Sequence, residues 1–345
     1  MVRYPSSKLL NIFYNFIMTN MKILLLILIC FINGQEEFNF YHDNEFRQYY
    51  LYEPDNLNQN APLVFVLHGY TSSATTIMNY SNMNSVAEQN GFAVCYPQGK
   101  IDQWNNRFWN VGYDFHSNQT VDDISFLTDL ALHLQNENGY NQNNTFVTGM
   151  SNGGDMSYML ACQTENIFKA YAPVAGCMMQ EIYNTCNSSF ASIFEIHGTN
   201  DDVTLWDGDY LNLGGWGPYL STNDGINHWV EKNDCQNSEQ LQGPSFNTIH
   251  HRYYDCNDNH EVWLYEINGG GHDWPNYSSE EIWSFFNNFL SSEDINDDGT
   301  INIQDVIMLI NLILASQFDS YADLNDDGLI DILDIIILLN LILEN

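Results

Sequence analysis

The sequence predicts an α/β fold, a mostly parallel sheet covered by helices on both faces, followed by a small all-α module. Continuous apolar runs, typical of strands buried on both faces, occur at residues 62–67, 92–96, 170–174 and 193–196. Helix-length segments separate these runs, and that alternation indicates parallel strands. The composition changes abruptly after residue 291, because residues 293–345 contain no Lys, Arg or His and one pattern occurs there twice. We therefore predict a large domain at 35–291 and a separate module at 292–345.

The remaining elements of the large domain follow from similar patterns. Residues 145–148 and 261–267 are rich in β-branched and aromatic side chains, which favours two further strands. Residues 122–135 are predicted to form a helix. Ser278 and Glu281 have the spacing of a capping box, which predicts that another helix begins there.

The charge of the chain excludes two classes of partner. The 345 residues include 44 acidic and only 9 basic ones, which gives a formal net charge of -35. The negative charge repels nucleic acid, and so few basic residues cannot form a basic surface that binds anionic membranes. Solubility alone is an equally good explanation of the acidity.

The N-terminal segment has the pattern of an export signal. Residues 23–32 form an apolar run that is too short to span a bilayer comfortably but suits a signal peptide. We predict a signal peptide at 1–34, a secreted protein, and no membrane span after its removal. The residues before Met21 are either a misassigned start or an extended first region of the signal. A lipid anchor at Cys30 is disfavoured, since Ile29 occupies a position that needs a small residue.

Six cysteines remain after the signal, and an even number in an exported protein permits disulfides. The pairs Cys177–Cys186 and Cys235–Cys256 are favoured because each closes a short polar segment. Cys95 and Cys162 are either buried thiols or a further pair.

A strained strand-to-helix turn is predicted at Gly149-Met150-Ser151-Asn152-Gly153. A GxSxG pattern between a strand and a helix is typical of a nucleophile elbow, which exposes a serine hydroxyl. The glycines are needed where strand and helix approach each other closely. Ser151 is therefore the candidate nucleophile.

A serine nucleophile needs a base, and the base needs an acid that orients it. His272 is the candidate base because a glycine-rich loop carries it just past a strand. Asp201 is the candidate acid, at the carboxyl end of the strand near 193–196, with Asp202 as the second choice. His197 precedes this acid, so chain order makes it a loop brace.

The oxyanion of acyl transfer needs two backbone N–H groups. Asn152, directly after the nucleophile, is expected to supply one of them. Tyr70, in the loop after the first central strand, is expected to supply the other, with His68 bracing that loop.

The motifs of the large domain resemble the esterase/polyhydroxybutyrate depolymerase family, which overlaps the feruloyl and acetylxylan esterases of carbohydrate esterase family one. The resemblance covers nearly all of residues 39–290. Its ordered motifs are LHG (67–69), YPQG (96–99), WN (109–110), VDDISFL (121–127), GMSNGG (149–154), HGTND (197–201) and GGHDWP (270–275). It implies an α/β-hydrolase fold with Ser151, Asp201 and His272 as the catalytic triad. Many depolymerase-like members have Cys where this chain has Tyr70.

The C-terminal module contains two loops with oxygen donors at the spacing of a twelve-residue calcium loop. A glycine stands at the sixth position of each, Gly299 and Gly328. The first loop has three carboxylates and the second four, so the second should bind calcium more tightly. The candidate calcium ligands are Asp294, Asn296, Asp298, Thr300, Asn302 and Asp305 in the first loop, and Asp323, Asn325, Asp327, Leu329, Asp331 and Asp334 in the second.

Paired loops of this kind resemble a type I dockerin over residues 294–343, which implies two structural Ca²⁺ ions and a cohesin-like partner. Cellulosomal dockerins often carry Ser-Thr where this chain has Ile303-Gln304 and Ile332-Leu333. A cell-surface or secretion-linked receptor is therefore an equal alternative to a scaffold protein. The simpler alternative is a tail that calcium stiffens.

Together these patterns predict a secreted serine esterase that needs no cofactor for catalysis. The expected substrates are feruloyl or acetyl esters of polysaccharides. The alternatives are a polyhydroxyalkanoate depolymerase and, from another class, an inactive surface-binding protein. Residues 206–219, rich in Gly and aromatic side chains, are either a substrate-binding wall or a loop whose aromatics only pack. Trp109 and Asp123 are expected to brace loops.

Overall fold

The protein is represented by a computed structural model. The structure describes residues 35–290 except 56, 59, 165 and 166, and in the C-terminal part residues 295, 301–315, 317, 322–325 and 327–344. The predicted signal peptide lies outside the described residues. Within them, every helix is too short or too polar to cross a membrane.

A sheet of ten strands forms the centre of the large domain, in the order β1-β2-β4-β3-β7-β8-β9-β12-β11-β10. The inner strands from β4 to β12 are parallel, and an antiparallel pair of strands completes each edge. A separate small ribbon is made by β5 and β6. The strands are β1 Gln35–His42, β2 Glu45–Tyr52, β3 Leu63–Leu67, β4 Ala93–Pro97, β5 Lys100–Ile101, β6 Arg107–Phe108, β7 Thr145–Met150, β8 Ala170–Val174, β9 Ser192–Gly198, β10 Asn237–Gln242, β11 Thr248–Tyr254 and β12 Val262–Ile267.

Helices cover both faces of this sheet, as the apolar strands predict. The helices of the large domain are α1 Ala74–Ser81, α2 Met83–Asn90, α3 Asp123–Asn138, α4 Asn152–Gln163, α5 Gln180–Asn184, α6 Thr222–Lys232 and α7 Ser278–Asn287. Strand β3 shows the two-sided burial directly, because Leu63, Phe65 and Leu67 belong to one hydrophobic cluster while Val64 and Val66 belong to the other. Successive side chains of a strand point to opposite faces, so each face of the sheet carries its own core.

The predicted capping box at Ser278 is wrong. Ser278 is the first residue of α7, and its buried hydroxyl has no hydrogen-bond partner among the described residues. The Glu281 carboxylate instead accepts a hydrogen bond from Tyr265 of β12, at 2.5 Å. A contact with the sheet has therefore replaced the local cap.

One of the two predicted disulfides is wrong as well. Cys186 pairs with Cys162, not with Cys177, and their Cα atoms are 4.5 Å apart. The chain after Cys186 returns to the end of α4, where the N–H groups of Asn187 and Ser188 both donate to the Cys162 carbonyl. Cys177 is a buried free thiol, as is Cys95. The second disulfide joins Cys235 to Cys256.

The C-terminal module contains helices α8 Ile303–Ala315 and α9 Ile332–Glu344, one after each predicted calcium loop. Their small core comprises Val306, Leu309, Ala322, Leu324 and Leu338. Many large apolar side chains of both helices remain exposed, including Ile307 and Ile336 at about half of their surface.

Candidate functional site

The three predicted catalytic residues each follow a parallel strand at its carboxyl end. Ser151 comes directly after β7, Asp201 follows β9, and His272 follows β12. The carboxyl ends of parallel strands lie at one edge of a sheet, where ligands of open α/β sheets bind. The loops after β9 and β12 also contact each other, since the Asn200 N–H donates to the Gly270 carbonyl at 2.8 Å.

Ser151 has the strained backbone of a nucleophile elbow. Its φ of 55° and ψ of -122° lie outside the regions that serine ordinarily adopts. The glycines on either side are required by close approach. A Cβ on Gly149 would lie 2.4 Å from the Gly153 carbonyl oxygen, and a Cβ on Gly153 would lie 2.4 Å from the Leu67 oxygen. The turn is therefore wedged between α4 and the end of β3.

Asp201 and His272 are joined by a hydrogen bond. His272 Nδ1 lies 2.8 Å from Asp201 Oδ2, and the other oxygen, Oδ1, accepts the N–H groups of Val203 and Thr204 at 2.8 Å each. Burial of Asp201 opposes its ionisation, but the hydrogen bond and charge of His272 outweigh it and lower the pKa of this carboxyl. Asp201 is thus a fixed carboxylate, whereas the second choice, Asp202, is exposed.

The nucleophile and the base are not yet hydrogen-bonded. Within the described residues, the Ser151 hydroxyl makes no hydrogen bond to the His272 ring. Catalytic hydrogen bonds are often long or poorly aligned until substrate binds. The His272 side chain keeps 17% of its surface exposed, so solvent and substrate reach it.

One residue, Trp109, contacts both segments that carry the predicted oxyanion residues, Asn152 through its backbone and the loop before Tyr70 through its indole. The Trp109 N–H donates to Asn152 Oδ1 at 2.7 Å, and Asn152 Nδ2 donates back to the Trp109 carbonyl at 3.1 Å. The indole N–H of the same tryptophan donates to the His68 carbonyl at 2.9 Å. The backbone N–H groups of Tyr70 and Asn152 donate to no acceptor in the described part of the chain. Trp109, expected to be a loop brace, therefore ties together the two segments that carry these amides.

His68 is a buried, neutral brace of the same loop. Its Nδ1 contacts the Gly69 carbonyl at 2.8 Å, so Nδ1 carries the proton, and Nε2 accepts the Gly99 N–H at 3.0 Å. Burial lowers the pKa of His68 to about 4. This agrees with the expectation that His68 braces the loop before Tyr70. A Cβ on Gly69 would lie 3.4 Å from Ser151 Cβ, so the braced loop lies directly beside the nucleophile.

An aromatic cluster borders the Tyr70 loop. The Trp216 ring contacts Tyr70, Tyr113 and Phe115 edge-on, with ring centroids 5.9, 5.1 and 5.4 Å apart. The Tyr70 hydroxyl donates to Asp102 Oδ2 at 2.7 Å, which anchors the ring. Trp216 remains partly exposed. The segment 206–219 therefore both packs and presents an aromatic surface next to the candidate oxyanion loop.

Sequence reasoning missed one ionisable group near the site, Glu195. It lies within β9, and its carboxylate contacts His197. The signal was visible, because Glu195 is a charged residue inside an otherwise apolar strand.

The second calcium loop has two of its four carboxylates, Asp323 and Asp334, turned inward. Asp334 is fully buried and accepts the N–H groups of Leu324 and Asp331, at 2.8 and 2.7 Å. Gly328 has a φ of 79°, which provides the sharp turn at the sixth position. This oxygen-rich donor set fits Ca²⁺.

The first calcium loop is described only in part. Asp305 is fully buried, and its Oδ2 accepts the Asn302 N–H at 2.7 Å. The other predicted ligands lie outside the described residues: Asp294, Asn296, Asp298 and Thr300.

One other group of candidate metal ligands occurs among the described residues, formed by Cys162, Cys186 and His228. The disulfide between its two cysteines leaves no thiolate to bind a metal.

Two parts of the chain match known protein families. Residues 47–209 match the family described as Esterase PHB depolymerase, and residues 292–343 match the Dockerin type I domain.

Two curated relatives are esterases by name. A bifunctional acetylxylan esterase/xylanase from Neocallimastix patriciarum is 24% identical over 258 residues, which cover 73% of this chain and 35% of that protein. Feruloyl esterase D from Neurospora crassa is 26% identical over 262 residues, covering 70% of this chain and 82% of that protein. The chain thus spans about a third of the length of the first relative.

A solved acetyl xylan esterase from Aspergillus awamori has the same fold. Its TM-score is 0.56 at 17% identity, and the match covers 73% of this chain and 99% of that one. The sheet order, the elbow at Ser151 and these matches agree with one another. The large domain therefore has an α/β-hydrolase fold whose residues 47–209 match the Esterase PHB depolymerase family, and residues 292–343 match the type I dockerin domain.

Proposed function

We propose that this chain is a secreted serine esterase that removes acyl groups from polysaccharides, with Ser151, His272 and Asp201 as its triad. The observation that carries the proposal is the Asp201–His272 hydrogen bond at the sheet edge that also bears the strained Ser151. A serine hydroxyl on an elbow and an imidazole that a carboxylate orients, both at one edge of the sheet, are the groups that acyl transfer through serine requires.

The reaction follows from these positions. Ser151 Oγ attacks the ester carbonyl while His272 Nε2 takes its proton. The proton then passes to the leaving alcohol, and Asp201 stabilises the imidazolium formed in between. The N–H groups of Tyr70 and Asn152 receive the oxyanion. Water, activated by the same histidine, then releases the acid and restores the serine.

Feruloyl or acetyl groups are the proposed acyl groups. Relatives named for both activities support this class. The partly exposed Trp216 and its aromatic neighbours next to Tyr70 favour a planar aromatic acyl group, because aromatic rings pack well edge-on against one another.

Replacement of the nucleophile tests the activity itself. The purified Ser151→Ala variant should lose turnover of a chromogenic acetate ester, while Ser117→Ala, at an exposed serine, should keep it. Wild-type turnover by Ser151→Ala would reject the mechanism. No turnover by the wild-type protein on any ester would favour the alternative of an inactive surface-binding protein.

A polyhydroxyalkanoate depolymerase is the second candidate, favoured by the family match. One assay distinguishes the two functions. It compares the ferulate and acetate released from xylan with the hydroxybutyrate released from polymer film. Release from the film alone would reject the polysaccharide substrate.

We further propose that the dockerin domain binds two calcium ions through the twelve ligands predicted above, and that it docks onto a cohesin-like module or a cell-surface receptor. The inward-turned carboxylates of Asp323 and Asp334 support the second site. Calorimetric titration of variants that retain one loop should show tighter binding in the second loop, which has one more carboxylate. Tighter binding in the first loop would contradict this order.

A further inference from the structure

Two fully buried ionisable side chains stand directly behind Asp201. Glu195 and His197 lie two residues apart on β9, so they point to the same face of the sheet. Neither side chain has any exposed surface. Burial of ionisable groups is costly unless they are paired, and packing alone would be served by apolar residues. The pair therefore calls for a functional explanation.

His197 connects Glu195 to the candidate catalytic acid. Its Nδ1 lies 2.8 Å from Glu195 Oε1, and its Nε2 lies 2.9 Å from the Thr204 carbonyl and 3.5 Å from Asp201 Oδ2. A carbonyl oxygen only accepts hydrogen bonds. Nε2 therefore carries a proton that points at Thr204 and approaches the carboxylate of Asp201.

Because Nε2 carries a proton, the charge of His197 depends on whether Nδ1 carries one as well. Burial of the ring lowers its pKa, but the hydrogen bond and charge of Glu195 outweigh burial and raise the pKa of His197 above its ordinary value. A proton on Nδ1 places a positive charge beside Asp201, opposite Glu195, and burial raises the pKa of the Glu195 carboxyl to about 7, so the proton is shared between the two side chains. The remaining oxygen, Glu195 Oε2, is buried without a hydrogen bond in the described part of the chain.

We propose that Glu195 and His197 are positioning residues for the esterase reaction, and that together they hold Asp201 ionised and directed at His272. This inference rests on the proposed triad. The pair extends the Asp–His arrangement by two groups without touching substrate. It acts through Asp201, whose Oδ2 faces both histidines at once.

Other titratable groups surround the pair and enter any pH experiment. They are Tyr158 and Asp155 on α4, Cys177 after β8, and Asp201 and His272 on the loops after β9 and β12. None of these is changed in the variants below, so their contributions to a pH profile stay constant.

The test is Glu195→Gln in the full chain, measured as the pH dependence of ester hydrolysis. Glutamine keeps the shape but carries no charge, so the charge of Glu195 that raises the pKa of His197 is lost. The expected result is a fall of about tenfold in kcat with little change in KM. The acid limb of kcat/KM should also move to higher pH, because a positive charge that opposed protonation of His272 is lost.

A second variant and a matched control complete the experiment. His197→Asn removes the ring and should shift the acid limb in the same direction. His250→Asn, at a buried histidine on β11 whose Nε2 has no hydrogen bond in the described part of the chain, should keep the wild-type limb. Folding is checked by near-ultraviolet circular dichroism.

Three outcomes would overturn the proposal. The first is a wild-type kcat and acid limb in the folded Glu195 or His197 variants. The second is reduced stability with an unchanged pH profile. The third is failure of both variants to fold, which would assign the pair to the core alone. Ser151→Ala separates this from the proposed function. Full turnover by Ser151→Ala would reject the nucleophile, whereas an inactive Ser151→Ala beside an unchanged Glu195→Gln would reject only the positioning role.

Discussion

Replacement of Asp201 by Asn tests the proposed mechanism most directly, because the structure fixes how the new amide would be oriented. Asp201 Oδ1 accepts two backbone N–H groups, from Val203 and Thr204. An amide nitrogen at that position would oppose two donors. The asparagine oxygen must therefore remain there, and the Nδ2 group must take the place of Oδ2.

The Nδ2 group would then face two histidines. His272 Nδ1 lies 2.8 Å from that position, so it would have to accept a hydrogen bond, and the ring proton would move to Nε2. A ring with its proton on Nε2 cannot take the proton of Ser151. His197 Nε2, at 3.5 Å, would meet a second donor in place of an acceptor. We expect a fall in kcat of about 10⁴-fold, or about 5 kcal/mol of transition-state stabilisation.

The assay is steady-state hydrolysis of a soluble acetate ester, with kcat and KM determined separately. KM should change little, because Asp201 is buried and does not meet the substrate. The matched control is Asp202→Asn, which removes the neighbouring exposed carboxylate and should leave kcat unchanged. A kcat within about tenfold of wild type for Asp201→Asn would refute the assignment of the catalytic acid.

Five further changes, to the disulfides, to Trp109 and to the calcium loops, have expected outcomes. Cys162→Ala should lower the free energy of unfolding by about 3.5 kcal/mol, the chain-entropy value for a disulfide that spans 24 residues. Cys177→Ala should leave both disulfides intact in a peptide map, and a Cys177–Cys186 peptide from the wild-type protein would contradict the pairing. Trp109→Phe should lower kcat by about tenfold through a looser oxyanion loop, while Trp229→Phe, at an equally buried tryptophan whose Nε1 has no hydrogen-bond partner in the described residues, should not. A calcium chelator should unfold the dockerin domain, seen by circular dichroism, and leave ester hydrolysis intact; Asp334→Ala should weaken calcium binding in calorimetry, and unchanged affinity would reject its role as a ligand.

The inner strands and the candidate site could be predicted from the sequence because their signals are local. A central strand of a parallel sheet is apolar on both faces, so residues 63–67 and 170–174 were apparent as continuous runs. The site residues follow such strands directly. The end of β9 was therefore enough to point to Asp201, with Asp202 as the second choice, and in the structure Asp201 has the hydrogen bond to His272.

The features that the sequence did not predict depend on contacts between distant segments. The edge strand β10 has five of its six residues exposed and carries no apolar pattern. Cys186 was predicted to pair with Cys177, its neighbour along the chain. The choice of Cys162 was decided by the return of the chain to the end of α4, which no local pattern encodes. Likewise, the Ser278–Glu281 spacing predicted a cap, but Tyr265 on the sheet binds Glu281 instead.

The precision of the candidate site depends on residues that never meet the substrate. The Trp109 backbone bonds to the Asn152 side chain and its indole N–H donates to the His68 carbonyl, so one residue fixes both oxyanion segments relative to each other. Asp201 is fixed in the same way, by two backbone amides and by His197. An oxyanion donor stabilises a transition state only if it is aimed before the reaction begins. Because Trp109 is fully buried and acts through geometry alone, its replacement should lower kcat without raising KM, whereas a residue that binds substrate should change KM as well.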